Sequence, residues 1–281
     1  MVKNKRVITI QDISCVGQCS LTVALPIISA CGIETVILPS AVLSTHTGGF
    51  TGYTFRDLTE DIPGIMDHWV KSEQKFDCLY TGYLGSVTQI DYVGQLMEKV
   101  LVPGALKIVD PAMADNGNLY YGFDQNFVEN MAKLCGKADI VLPNITEAAF
   151  MTGKEYRADN QDEAYVKDLL FGLKELGAKK VILKGISYKA DEIGVVVFDS
   201  ATEEMQYYFT EKVPKSSHGT GDCYASAFVG AVMQGKSDYD AAALAADFVV
   251  ESIKKTIDDD DHWYGVKFEQ ALPMLVKELN K

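Results

Sequence analysis

A chain of 281 residues of which 47% are hydrophobic carries enough apolar material for a sizeable core, which excludes an intrinsically disordered protein. A formal net charge of −13 argues against nucleic acid or an anionic membrane as the main partner. No apolar stretch approaches the ~20 residues of a membrane span. The first six residues are basic but lead straight into a short strand-like run at 7–10, which is not a secretory signal, so a cytoplasmic protein is expected. Further β-branched or apolar runs follow at 35–38, 78–80, 107–109, 140–142 and 181–183, a spacing suited to βαβ units. Helix-like segments lie between them: 21–31 before Gly32, 86–100 before Pro103-Gly104, 127–135 before Gly136 and 164–176 before Gly177. Strands that read as continuous apolar runs predict a parallel sheet covered on both faces. After Lys184 the texture changes to an antiparallel pair, 194–198 and 205–209, and then to helices at 223–234, 241–256 and 268–279. One domain is expected over residues 1–281. The six cysteines, at 15, 19, 31, 78, 135 and 223, read as structural thiols, and Asp258-Asp259-Asp260-Asp261 reads as a solvated loop.

The most informative stretch is Ser216-Ser217-His218-Gly219-Thr220-Gly221-Asp222, running into the small-residue helix from Cys223. Two glycines let the backbone turn tightly, and the helix start points free N–H groups and its positive dipole end at that turn. Such a corner seats anions. Asp222 beside it is either a helix cap or a base that removes a proton next to developing negative charge.

The strand-like runs also end in polar, Gly- or Pro-bearing sequences: Gln11-Asp12-Ile13-Ser14, Ser44-Thr45-His46-Thr47-Gly48-Gly49, Thr81-Gly82-Tyr83-Leu84-Gly85-Ser86, Asp110-Pro111, Pro143-Asn144-Ile145-Thr146-Glu147 and Lys184-Gly185. In an open parallel sheet ligands collect at such ends, so these predict one composite cleft. Asn144 and Glu147 are one helical turn apart and can face one point, or they cap a helix. Lys184 ends an apolar strand, where its charge needs a counter-charge or must snorkel to water. His46 and Tyr83 are either aromatic walls for a flat ring or packing residues of a lid.

These ordered motifs resemble the ribokinase-like superfamily over about residues 6 to 256. Ser44-x-His46-Thr47-Gly48 and Thr81-Gly82-Tyr83 look specifically like pyridoxal kinases. The resemblance implies a three-layer αβα sandwich with a central, mainly parallel sheet and a small flap, about residues 35–53, over the substrate. It implies transfer of the ATP γ-phosphoryl group to the 5′-hydroxymethyl of a vitamin B6 vitamer, with Asp222 as base and Gly219, Thr220 and Gly221 as the anion hole. Asp110, Asn144 and Glu147 would organise Mg²⁺ and the triphosphate, and Lys184 would contact ATP. Val213-Pro214 and the helix around 248–252 would flank adenine. His46, Thr47 and Tyr83 would meet the pyridine ring. Asp12 stands where that group typically has serine, with Ser14 two places on, which admits a hydroxymethylpyrimidine as the alternative substrate. K⁺ stimulation and a homodimer are further implications, and a non-catalytic pyridoxal phosphate carrier is the rival from another class. Against a nicotinamide dehydrogenase, the first strand runs into Gln11-Asp12-Ile13-Ser14 without a glycine fingerprint.

Overall fold

A computed structural model describes residues 4–215 and 217–281; Ser216, at the head of the glycine turn, lies outside the described residues. Strand β1 (Arg6–Ser14) leads through α1 (Leu21–Ala30) to β2 (Glu34–Leu43) and the short β3 (Phe55–Asp57). Helix α2 (Ile62–Lys71), β4 (Phe76–Thr81), α3 (Val87–Lys99) and β5 (Leu101–Val109) follow. A small hairpin, β6 (Ala114–Asp115) and β7 (Asn118–Leu119), precedes α4 (Gln125–Cys135), β8 (Ile140–Val141), α5 (Ile145–Thr152) and α6 (Glu163–Glu175). The chain continues through β9 (Lys180–Ile186), β10 (Glu192–Asp199) and β11 (Met205–Glu211), and then α7 (Thr220–Met233), α8 (Asp238–Lys254) and α9 (Phe268–Leu279).

Among the described residues, nine strands form one sheet in the order β11-β10-β9-β8-β5-β4-β1-β2-β3. The six inner strands from β9 to β2 pair in parallel, while β10, β11 and β3 are antiparallel additions at the two edges. Successive strand residues feed opposite layers. Ile8 and Ile10 pack with α2 to α6, whereas Val7, Tyr80 and Ile182 pack with α1, α7, α8 and α9. Double-sided burial explains why these strands read as apolar runs rather than alternating ones.

The order reverses at β1: the chain leaves it for β2 on one side and returns through β4 on the other. Ligands collect in the crevice that such a reversal opens at the carboxyl ends of the strands. Gly82 lets this junction close, because a Cβ there would lie 2.5 Å from the Gln11 side-chain oxygen. One expectation changes. Residues 35–43, assigned to the flap, belong to the sheet as β2, and the covering loop is confined to 44–54. Its base is clamped where Ser44 and Thr54 exchange hydrogen bonds.

Candidate active site

Helix α7 is preceded at its N-cap by Gly219, whose φ of +74° is the left-handed conformation glycine adopts without penalty. A Cβ there would lie 1.7 Å from the carbonyl oxygen of Gln18, so the turn is packed tightly against the segment after β1. Gly221 differs: a Cβ on it would meet nothing within 4 Å. Asp222, in the first turn of α7, accepts a hydrogen bond from the backbone N–H of Ser20 at 2.9 Å. Burial pushes its pKa up to about 7, with the charges of Asp110 and Asp12 adding to the rise, while the Ser20 N–H and Lys184 oppose it.

Across the crevice, Lys184 on β9 donates to Asp110 at 2.7 Å, with side chains only 12% and 6% exposed. Asn144 and Glu147 form a reciprocal capping box at the start of α5. The Glu147 N–H donates to Asn144 Oδ1 and the Asn144 N–H to Glu147 Oε2, both at 2.8 Å. Glu147 also accepts from the Met113 N–H at 3.3 Å, and the Asn144 amide donates to the Ala114 carbonyl at 2.9 Å. Burial and neighbouring Asp110 hold the Glu147 carboxyl well above the usual range. Burial disfavours the charged form of Lys184, but Asp110 and Glu147 outweigh it and keep the lysine protonated. Asp110, Glu147 and Asp222 thus lie around one lysine, and three carboxyl groups beside a single cation favour their protonated forms.

On the other flank, Asp12 is buried, with its oxygens accepting from Ser20 Oγ at 2.5 Å and Ser14 Oγ at 2.9 Å. Two residues of β2, Ser40 and Ala41, stand opposite Asp12 at a register shift in the β1–β2 ladder, a bulge that re-aims side chains locally. His46 uses both ring nitrogens. It accepts from the Gly48 N–H at 3.0 Å and donates through Nε2 to the Tyr264 carbonyl at 2.8 Å, and burial lowers its pKa, so it is neutral. Its ring packs on Phe50, while Tyr83 stacks on Phe123 at 5.6 Å. His46 and Tyr83 therefore each have an aromatic neighbour of their own, and both lie within electrostatic reach of Asp12. Thr47 is exposed at the loop tip.

At the expected adenine wall, residues 249–251 are half-buried, whereas two others of that stretch are closed off. Phe248 and Ser252 are fully buried within the helical layer, and the Ser252 hydroxyl is spent on the Phe248 carbonyl. They offer no ligand face, because α8 turns that side toward the core. Val213 and Pro214 remain partly open at the rim. Ser20 was missed as a site residue: a serine ahead of an apolar helical run reads as an ordinary cap. Elsewhere, a depression of about 720 Å³ lies at the opposite end of the sheet, but its Lys179 and Lys180 are ion-paired to Asp139 and Asp238.

Residues 28–266 match the sequence profile of the phosphomethylpyrimidine kinase family. The chain belongs to that family. It is 35% identical, with a TM-score of 0.91, to a Bacteroides thetaiotaomicron protein that carries the phosphomethylpyrimidine kinase name and was crystallised with pyridoxal; the match covers 97% of this chain and 96% of that one. Pyridoxal kinase from Lactobacillus plantarum is 31% identical, with a TM-score of 0.89 over 98% and 97% of the two chains. Pyridoxal kinase PdxY from Haemophilus influenzae is 27% identical over 241 residues, 81% of each chain. Within this kinase family, the αβα sandwich and its mainly parallel sheet are those expected from the sequence.

Proposed function

We propose that the chain is a pyridoxal kinase that transfers the γ-phosphoryl group of ATP to the 5′-hydroxymethyl group of a vitamin B6 vitamer, with Asp222 as general base. The observation that carries this is the placement of Asp222. It sits on the first turn of α7, beside the Gly219 turn and within electrostatic reach of the buried Asp110–Lys184 pair. A carboxylate whose pKa is near 7 takes a proton from an alcohol better than one near 4. The N–H groups of Gly219, Thr220 and Gly221, at the positive end of the α7 dipole, receive the charge of the transferring group. Lys184 neutralises a triphosphate while Asp110 keeps its ammonium in place.

Among the described residues no group of three or more His, Cys, Asp or Glu side chains forms a metal cage. Mg²⁺ commonly keeps several waters and takes only one or two carboxylates beside the phosphates, and Asp110 and Glu147, whose buried carboxyl groups a bound cation would draw into the ionised form, fit that habit. Asn144 would act on this pair indirectly, by holding Glu147 through the capping box. Bound Mg²⁺ supplies neutralising charge for the phosphates. Asp12, Ser14, His46, Thr47 and Tyr83 form the vitamer side. Here Tyr83 and the lid residue His46 give apolar walls and Asp12 accepts from a ring hydroxyl, a protonated ring nitrogen or an amine. Val213 edges the adenine side. K⁺ near the anion-hole turn and a homodimer belong to the same reading.

Phosphorylation of a hydroxymethylpyrimidine is the second reading, favoured by the family match and by the carboxylate at position 12. The deciding experiment is turnover of pyridoxal, pyridoxamine, pyridoxine and 4-amino-5-hydroxymethyl-2-methylpyrimidine with Mg-ATP. We expect kcat/KM for the best vitamer to exceed that for the pyrimidine by at least about tenfold, a difference of roughly 1.4 kcal/mol in transition-state binding. The reverse order selects the pyrimidine, and no turnover of any of them leaves a carrier.

A further inference from the structure

Ser20 occupies the N-cap of α1, a position serine favours because its hydroxyl can accept from the N–H groups of the first turn. It makes no such bond. Its hydroxyl donates instead to Asp12 Oδ1 at 2.5 Å, and its backbone N–H donates to Asp222 Oδ2 at 2.9 Å. Its carbonyl accepts from the N–H groups of Val23 and Ala24 and starts the helix, so all three of its polar groups have separate partners on β1, α7 and α1. The backbone pays for this with φ 55° and ψ −133°, a region a side-chain-bearing residue rarely adopts. A strained serine that forgoes its own cap to join the buried Asp12 to the half-buried Asp222 is held there by more than helix initiation.

We propose that Ser20 is the positioning residue of the catalytic base: anchored through its hydroxyl to Asp12, it aims its backbone N–H at Asp222, orients the carboxylate and favours its proton-accepting form. This rests on the assignment of Asp222 as base. The groups facing Asp222 are Asp12 from β1, Cys19 ahead of α1, Tyr80 from β4, Asp110 after β5, Tyr120 after the β6–β7 hairpin, Lys184 from β9 and Cys223 next to it on α7. Among them Lys184 is the cation, and it is already bonded to Asp110. Among the described residues the Ser20 N–H is therefore the donor that touches Asp222 directly. A donor to a carboxylate favours its charged form and lowers its pKa. Loosening that donor raises the pKa, so the base is lost at a higher pH.

The test uses Ser20→Ala and Ser20→Gly in the full chain, with pyridoxal and Mg-ATP across pH 5.5 to 9. Alanine removes the anchor, and glycine removes it while accepting the unusual φ, which guards against a folding failure of the first variant. We expect kcat to fall about tenfold, both KM values to stay within about twofold, and the acid limb of kcat/KM to move up by about half a pH unit or more. Unchanged limbs in both variants overturn the proposal. Asp222→Asn measured in parallel separates the two ideas: if it retains wild-type turnover, the base assignment itself falls. If it is inactive while the Ser20 variants keep the wild-type limb, only the role of Ser20 falls.

Discussion

Asp222→Asn is expected to cut kcat by about a thousandfold, within the 10²–10⁴ range of general-base assistance, while the KM for ATP stays within about twofold. Asparagine is nearly isosteric and its Oδ1 can still accept from the Ser20 N–H, so the turn and the nucleotide seat persist. Only the capacity to take a proton is lost. The same variant tests the pH dependence. The base acts as carboxylate, and its pKa is pushed up to about 7, so wild-type kcat/KM should fall with unit slope below about pH 7. In the asparagine variant that limb should vanish from the residual activity. Steady-state rates across pH decide both points, and wild-type-like turnover would refute the role of Asp222.

The glycines of the turn should separate folding from chemistry. In Gly219→Ala, the left-handed φ of +74° costs about 1–2 kcal/mol for a side-chain-bearing residue. The added Cβ would also sit 1.7 Å from the Gln18 carbonyl, so the turn or the segment after β1 must shift. That segment carries Ser20 and thereby Asp222, and kcat should drop about a hundredfold or more together with a lower urea midpoint. Gly221→Ala has no such clash and should gain about 0.5–1 kcal/mol from better helix propensity. Its methyl group would nevertheless enter the open space above the turn, where the phosphoryl group is proposed to lie. A normal urea midpoint with kcat/KM for ATP reduced about tenfold or more is the expected pair of results. Wild-type kinetics in Gly221→Ala would move the phosphoryl seat elsewhere.

The parts of the fold legible in the sequence were those that repeat a local pattern. Runs such as 181–183 became β9 because residues buried on both faces need no alternation, and Gly32, Gly136 and Gly177 closed helices in the structure as they did on paper. Helix α2 escaped because Ile62-Pro63-Gly64 reads as a turn, although proline is welcome in a first helical turn. Strand β3 escaped because its three residues are all exposed and carry no apolar signature. The apolar run of β1 stops at residue 10 because Gln11, Asp12 and Ser14 are polar, yet all three are buried, Gln11 and Ser14 pair with β2, and Asp12 sits at the bulge between them.

Within the site, the Asn144–Glu147 spacing was visible because it is local. The Lys184–Asp110 pair joins residues 74 apart and depends on where β5 and β9 fall in the sheet. The engagement of His46 by Tyr264 joins residues 218 apart and has no sequence signal. Which face of α8 meets the core, and so where Phe248 lies, is likewise decided by packing against the neighbouring helices.

The crowding of carboxyl groups around one ammonium also bears on how the ligand-free protein tolerates heat. An unfolded aspartate gives up its proton near pH 3.8, whereas Asp222 in the native state holds it to about 7, and Asp12, Asp110 and Glu147 are displaced in the same direction. Between those limits the native chain binds more protons than the unfolded one, so resistance to unfolding declines as pH rises through that window. For Asp222 alone the linkage is at most about 4 kcal/mol, reduced by water reaching the open cleft. Calorimetry in the absence of nucleotide should therefore find the melting temperature several degrees higher at mildly acid pH than at pH 8, and a flat or opposite trend would mean that these acids ionise at ordinary pH values. A catalyst poised to accept a proton is in this way a molecule that rests more securely while still carrying one.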